Sequence, residues 1–257
     1  MNILLVGGGK IWLFLFVLRC IVPGVFIPGT ALTGGKSTPP PPVPGVIYHG
    51  PRNSKQISLT FDACSSRGRG KLDTAVARIL VQTRTPATIF LGGKWTRDVA
   101  RFLRPLASDS LIEFGNHAYL HPHMRNVSGD SIALELRKAQ RAIAGVIRKK
   151  PDLFRAPYGE VDLRVDSVAE SLGLKVIQYS LPSGDPDTLL SEQAIVRYVT
   201  SVARGGSIIV MHINGRGRHT AEALPEIIDI LRKKGYRFVT VSRLIARETL
   251  PEKPRGR

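Results

Sequence analysis

The chain has 257 residues, enough for one large domain or two small ones with a sizeable buried core. Its 37 Lys and Arg against 20 Asp and Glu give a formal net charge of +17, which favours polyanionic surroundings. A nucleic-acid partner is not expected: zinc-finger spacing, a basic zipper and an aromatic-rich recognition strand are all missing, and Arg137, Lys138, Arg141, Arg148, Lys149 and Lys150 read as a solvated helix face.

At the N-terminus, Lys10 precedes the apolar run Ile11 to Leu18, and a weakly polar stretch follows Arg19. The run is too short to span a bilayer, so residues 1–33 read as a secretory leader with Ala31 as a cleavage point, the alternative being an uncleaved anchor. The protein is therefore expected to be exported, touching a membrane only through this segment. STPPPPVPG, at 37–45, lies in a proline-rich linker over 34–45 that cannot pack as helix or sheet. One folded domain is expected over 46–247, with a basic tail over 248–257. With the leader removed, Cys64 is the only cysteine, so the fold rests on its core and not on a disulfide. A monomer is expected.

Within the domain, QISLTFD at 56–62 reads as a strand and 72–83 as its helix. Strands follow at 87–93 and 111–117, with a helix over 96–107 between them. SGDS at 128–131 caps a long amphipathic helix reaching about Lys149. FRAPYG, at 154–159, ends a fourth strand, and 164–172 is helical. LKVIQYSL at 174–181 is a fifth strand with its helix over 191–203, SIIVMH at 207–212 a sixth with its helix over 219–234, and 236–241 closes the series. Strands alternating with helices imply parallel βαβ units in one α/β domain, and their number favours a barrel over an open sheet.

Asp62, His117, Arg155 and His212 each fall at or just past the C-terminal end of an expected strand, the ends that share one face in a parallel barrel. His117 and His121 have the i, i+4 spacing that puts two imidazoles on one side of a helical turn, suited to one cation, whereas His123 falls outside it. Taken singly, each has a bland explanation: a polar loop, a strand-end aspartate, an arginine paired with a carboxylate, a buried histidine. Together they make a hydrolytic set, with a metal to polarise a carbonyl and bind water, a carboxylate to take a proton, and a second histidine to protonate the leaving nitrogen.

TFDAC, HAYLH, RAPYG, GDP and VMH, in that order, resemble the motifs of the polysaccharide deacetylases, the family that includes the nodulation chitooligosaccharide deacetylase, over about residues 55–245. The resemblance implies an irregular (β/α)7-type barrel related to the TIM barrel and metal-dependent removal of acetyl groups from sugars. It implies Asp62 as general base, His117 and His121 as ligands of a divalent metal (Zn, or Co), and Arg155 as the residue that orients the base. Tyr158 would offer a backbone N–H to the oxyanion, Val210 would line the acetyl pocket, and Asp185 would tune His212, the acid. The sequence departs from that pattern at Ala63, where the family has a second, metal-binding carboxylate, and at Pro186, where an aromatic wall is missing. Asp62, Cys64 and Asp73 are the candidates to replace the missing ligand. SSRGRGK at 65–71 is a basic loop beside the expected mouth, and His219 is either a rim residue or a helix start.

Three functions remain. The first is an exported metal-dependent deacetylase of an N-acetylglucosamine-containing glycan, of peptidoglycan or chitin type. The second is a carbohydrate-binding pseudoenzyme. The third is a hydrolase of non-peptide C–N bonds in small cyclic amides.

Overall fold

A computed structural model describes residues 42–65 and 70–246; residues 1–33 expected as a leader, 34–41 of the expected linker, 66–69 of the basic loop and the expected basic tail lie outside the described residues. The elements in chain order are β1 (Gln56–Ala63), α1 (Thr74–Gln82), β2 (Ala87–Leu91), α2 (Gly93–Asp98), α3 (Ala100–Ala107), β3 (Ile112–Asn116), α4 (Gly129–Ile147), β4 (Leu153–Phe154), α5 (Leu163–Ser171), β5 (Lys175–Val176), β6 (Leu181–Pro182), α6 (Glu192–Val202), β7 (Ile208–His212), α7 (Thr220–Lys233), β8 (Arg237–Phe238) and α8 (Val241–Ile245). All described pairings are parallel, in the order β5-β4-β3-β2-β1-β7-β6, with β8 beside β1. The strands curl through 212°, so the sheet is an irregular, open half-barrel related to (β/α) barrels. No helix among the described residues is long and apolar enough to cross a membrane.

β1 is the central strand, flanked by β2 and β7. Its side chains alternate with the pleat. Ile57, Leu59, Phe61 and Ala63 enter the main apolar cluster, which they share with residues of α1, α6 and α7. Ser58, Thr60 and Asp62 take the opposite set of positions, and Thr60 Oγ1 donates to the Ile209 carbonyl at 2.7 Å. The alternation therefore delivers Asp62 to the inside of the curl at the strand end. The long helix begins where the sequence places it: Ser128 Oγ accepts from the Ser131 N–H, and the apolar residues Ile132, Leu136, Ala139 and Ile143 follow at helical spacing. Before the first strand, Val43 and Val46 pack on a second apolar cluster under α4 and α5.

The structure differs from the sequence pattern in three places. The helix expected over 96–107 is two, α2 and α3, divided at the buried Val99. The strand expected over 174–181 is split into β5 and β6. Between them the carbonyls of Ile177 and Gln178 turn inward to the Arg155 guanidinium, at 3.4 and 3.2 Å, which takes those acceptors out of the ladder. The closing strand shrinks to β8, and the chain continues as α8, whose start is held by the Val241 N–H on Thr88 Oγ1 at 2.9 Å.

Because β1 has a neighbour on each side and Phe61 is fully buried against the helices, Phe61→Ala should lower the unfolding free energy by about 3–5 kcal/mol. Phe102→Ala, on an exposed face of α3, should cost less than about 1 kcal/mol in the same denaturant titration.

Candidate functional site

Arg155 follows β4 and is wholly buried, although a guanidinium is costly to desolvate. Each nitrogen of its fork donates. Nη1 donates to Asp62 Oδ1 at 2.9 Å and to Thr60 Oγ1 at 2.8 Å, while Nη2 and Nε hold the Gln178 and Ile177 carbonyls. The guanidinium carbon also sits 4.1 Å from the centre of the Phe90 ring. Burial pushes the Asp62 carboxyl up, but the Arg155 guanidinium, by its charge and the hydrogen bond that it donates, outweighs it with help from the neighbouring imidazoles and holds the group below the usual carboxylate range. Asp62 is therefore an ionised carboxylate pinned by one oxygen.

His117 comes directly after β3. Its Nδ1 lies 2.8 Å from the Arg155 carbonyl, which can only accept, so Nδ1 carries the proton and Nε2 is the bare nitrogen, 3.9 Å from Asp62 Oδ2. The helical turn expected at 117–121 is not formed. The segment is a bent loop in which Ala118 and His121 take left-handed φ values of 61° and 62°. Glu135 shapes it by accepting from the Tyr119 and Leu120 N–H groups, at 3.0 and 2.7 Å. The loop nevertheless returns the His121 ring to 4.9 Å from that of His117, edge to face. Both imidazoles are kept neutral, chiefly by burial; His121 is pushed down to about 3, with His117 adding to the effect, and its buried Nδ1 has no partner among the described residues. His123 is more engaged than its spacing suggested: its ring stacks on Tyr158 at 4.1 Å and Nδ1 lies 2.9 Å from Glu160 Oε1.

His212 ends β7 and stands opposite Asp62 in the register of β1 and β7. Asp185 holds it from two sides, Oδ1 meeting the ring Nδ1 at 2.9 Å and Oδ2 the backbone N–H at 2.7 Å. Ser183 Oγ and Thr220 Oγ1 add two more donors, at 3.0 and 2.7 Å. The Asp185 carboxylate is thus saturated and points the remaining nitrogen of His212 towards the pocket. Gly217 lies against this carboxylate; a Cβ there would overlap Thr220 Oγ1 and Asp185 Oδ2. The pocket holds about 220 Å³ and is lined by Asp62, Tyr158, Tyr179, Asp185, Val210, His212 and Arg216, among others. Tyr158 has a left-handed φ of 57°, and the next residue, Gly159, has φ 69°. Its ring is half exposed at the mouth. Val210 and Pro186 also line the pocket.

Tyr179 and Arg216 had no sequence signal, since neither belongs to a recognisable motif; Thr220 and Ser183 act through Asp185 and were equally silent. His219 takes the N-cap position of α7 and does not line the pocket.

The residues present do not fit the metal centre that the motifs imply. Two neutral imidazoles are suitable ligands, and the partnerless His121 Nδ1 marks a polar gap beside them. A third ligand is what fails. Ala63 presents a methyl group and belongs to the apolar cluster on the helix side of β1. Cys64 is a buried thiol pushed up to about 11, by burial first and the Asp62 charge second, and its Sγ accepts from Asn214 Nδ2 at 3.5 Å. Asp73 caps α1, its Oδ1 accepting from the Ala75 and Val76 N–H groups at 3.0 and 3.1 Å. Asp62 has given Oδ1 to Arg155, which leaves only Oδ2, 3.9 Å from His117 Nε2. No group of three or more His, Cys, Asp or Glu able to hold a metal exists among the described residues.

The ion pair yields a prediction. Arg155→Met leaves a buried carboxylate unmatched and should cost about 3–5 kcal/mol, part of which the added Asp62→Asn recovers. The sign of the pH effect follows from the depressed carboxyl. Its stabilisation is complete above the unfolded value near ~4 and is lost as pH falls through the folded value. Acid titration of stability should therefore be steeper for the wild type than for Asp62→Asn.

The sequence model of the polysaccharide deacetylases matches residues 49–177. A peptidoglycan-N-acetylglucosamine deacetylase of Bacillus cereus is 30% identical over 204 residues, covering 78% of this chain and 92% of that protein. The bifunctional xylanase/xylan deacetylase of Cellvibrio japonicus is 30% identical over 71% of this chain, which spans only 26% of that longer protein. Among solved structures, a CE4 family pseudoenzyme from Bacillus anthracis superimposes with a TM-score of 0.70 at 28% identity, covering 78% of this chain and 69% of that one. A mutant of it with restored enzymatic activity matches with the same TM-score of 0.70 at 28% identity, over 78% of this chain and 71% of that one. A match over half the sequence and a relative aligned nearly end to end, on a shared fold, settle the assignment: the chain belongs to the polysaccharide deacetylase family.

Proposed function

We propose that this protein binds an N-acetylated glycan in the strand-end pocket without the metal centre for hydrolysing it, as a carbohydrate-binding member of a family of deacetylases and esterases. One observation carries this reading: at position 63 the side chain is a methyl group in the helix-side cluster, while Asp73 caps α1, Cys64 is a buried thiol and Asp62 has given one oxygen to Arg155. A pocket with Tyr158 and Tyr179 on its walls suits a sugar ring, whose C–H face packs on aromatic side chains while its hydroxyls meet polar edges. The similarity to a CE4 pseudoenzyme agrees with this reading. The similarity to a peptidoglycan deacetylase, together with the leader-like residues 1–33, supports an exported protein acting on a cell-envelope glycan of peptidoglycan or chitin type.

A second reading, metal-dependent N-deacetylation with Zn or Co, is favoured by the intact Asp62–Arg155 and His212–Asp185 pairs. There Asp62 would accept a proton from water and His212 would return one to the leaving nitrogen; Tyr158 would offer its backbone N–H and Val210 would line the acyl pocket.

Calorimetry and an acetate assay on one sample, with chitooligosaccharide and peptidoglycan fragments and added zinc or cobalt, separate the two. Glycan binding without acetate release is expected. Acetate release that a chelator abolishes overturns the proposal in favour of the second reading, and absence of binding overturns the glycan assignment itself.

Ala63→Asp supplies the missing carboxylate. It should raise zinc affinity about tenfold or more, read by metal titration, if the new side chain leaves the apolar cluster for the strand end. Unchanged zinc affinity in a folded variant would show that the absent carboxylate is not what limits metal binding.

A further inference from the structure

Arg216 stands in the turn after β7, exposed at the mouth of the pocket that also contains Asp62 and His212. Among the described residues its guanidinium makes no ion pair. The other charged groups lining this pocket are already matched inside the protein. Asp62 faces Arg155, and Asp185 accepts from Ser183, Thr220 and both the ring and backbone of His212. The pocket therefore presents one uncommitted charge, and it is positive.

The base of that charge is held in place. The Arg216 N–H donates to Asn214 Oδ1 at 3.2 Å, and Asn214 Nδ2 donates to the Cys64 carbonyl at 2.8 Å, which moors the turn to the end of β1. On the other side the Arg218 N–H donates to the Asp185 carbonyl at 3.1 Å, and Gly217 lies too close to Asp185 to admit a side chain. A fixed turn lowers the ordering cost of using the guanidinium, whose planar fork matches the two oxygens of a carboxylate.

We propose that Arg216 makes the pocket selective for a glycan that carries a carboxylate on or next to its acylated sugar, as a lactyl ether or a uronic acid does. The inference rests on the glycan-binding reading above and adds to it the class of glycan. The excess of basic residues over the whole chain works in the same direction at longer range.

The test is calorimetry on the full chain with three disaccharide probes: neutral N,N'-diacetylchitobiose, N-acetylglucosaminyl-N-acetylmuramic acid, and an N-acetylglucosamine–glucuronic acid disaccharide. At least one acidic probe should bind about tenfold more tightly than chitobiose, the size of effect expected for one charge-assisted pair. Arg216→Gln should reduce that preference to within about twofold, with Arg216→Lys falling between. Arg218→Gln removes the same charge two positions away and outside the pocket lining, so it should keep the preference. Whichever acidic probe is favoured identifies the carboxylate's position. Equal binding of all three probes, or a preference that survives Arg216→Gln, overturns the role of Arg216 while leaving glycan binding intact. Failure of all three probes to bind overturns the glycan reading and this inference with it.

Discussion

The buried contact between Arg155 and Asp62 is the constraint on which the rest of this structure depends. β4 and β1 are not neighbours in the sheet; β3 and β2 lie between them. Arg155 therefore crosses the inside of the curl as a chord, from the end of β4 to the end of β1, and on its way takes the two carbonyls released between β5 and β6. A guanidinium's donors are fixed in one plane, so the chord sets both the separation and the relative tilt of the strand ends it joins. It is also the reason that the fifth strand is interrupted: those carbonyls satisfy a buried cation instead of a neighbouring strand.

The same residue orders the site through its backbone. The Arg155 carbonyl accepts from His117 Nδ1, which decides the tautomer and hence which nitrogen faces Asp62. Asp62 in turn stands across from His212, whose own ring is set by Asp185. His117 and His212 are thus oriented by a carbonyl and a carboxylate behind them, and Asp62 and Asp185 by a cation and by donors behind them. Such an arrangement is stable without a metal, because every charge inside the curl already has its counterpart. Beside it, His121 Nδ1 is buried with no partner among the described residues.

Much of this was legible in the sequence, for physical reasons. A parallel sheet alternating with helices places strand ends on one face, so the convergence of Asp62, His117, Arg155 and His212 follows from period and spacing alone. Ser128 announced its helix because a cap has a fixed grammar. Other features were invisible because they depend on contacts far apart in the chain. The loop that carries His121 takes left-handed backbone at two non-glycine positions, supported by a carboxylate from α4; the i, i+4 spacing brought the right pair of histidines together for the wrong geometric reason. His123 gained its partners only when Tyr158 and Glu160 arrived beside it. Cys64 and Asp73 looked eligible as ligands by residue type, and only burial and a cap at α1 reveal that they are engaged elsewhere.

Gly217 ties two properties of the pocket into a single mechanical part. The turn at its rim presses backbone directly onto the carboxylate that aims His212, with no side chain to act as a cushion. Displacing the rim must therefore displace the imidazole as well. For evolution or engineering, this means that ligand choice at the mouth and proton handling at the floor are not independent settings. Any longer side chain at position 217 would force both to change together, so variation in specificity has to come from the tips of side chains on this turn and not from its path.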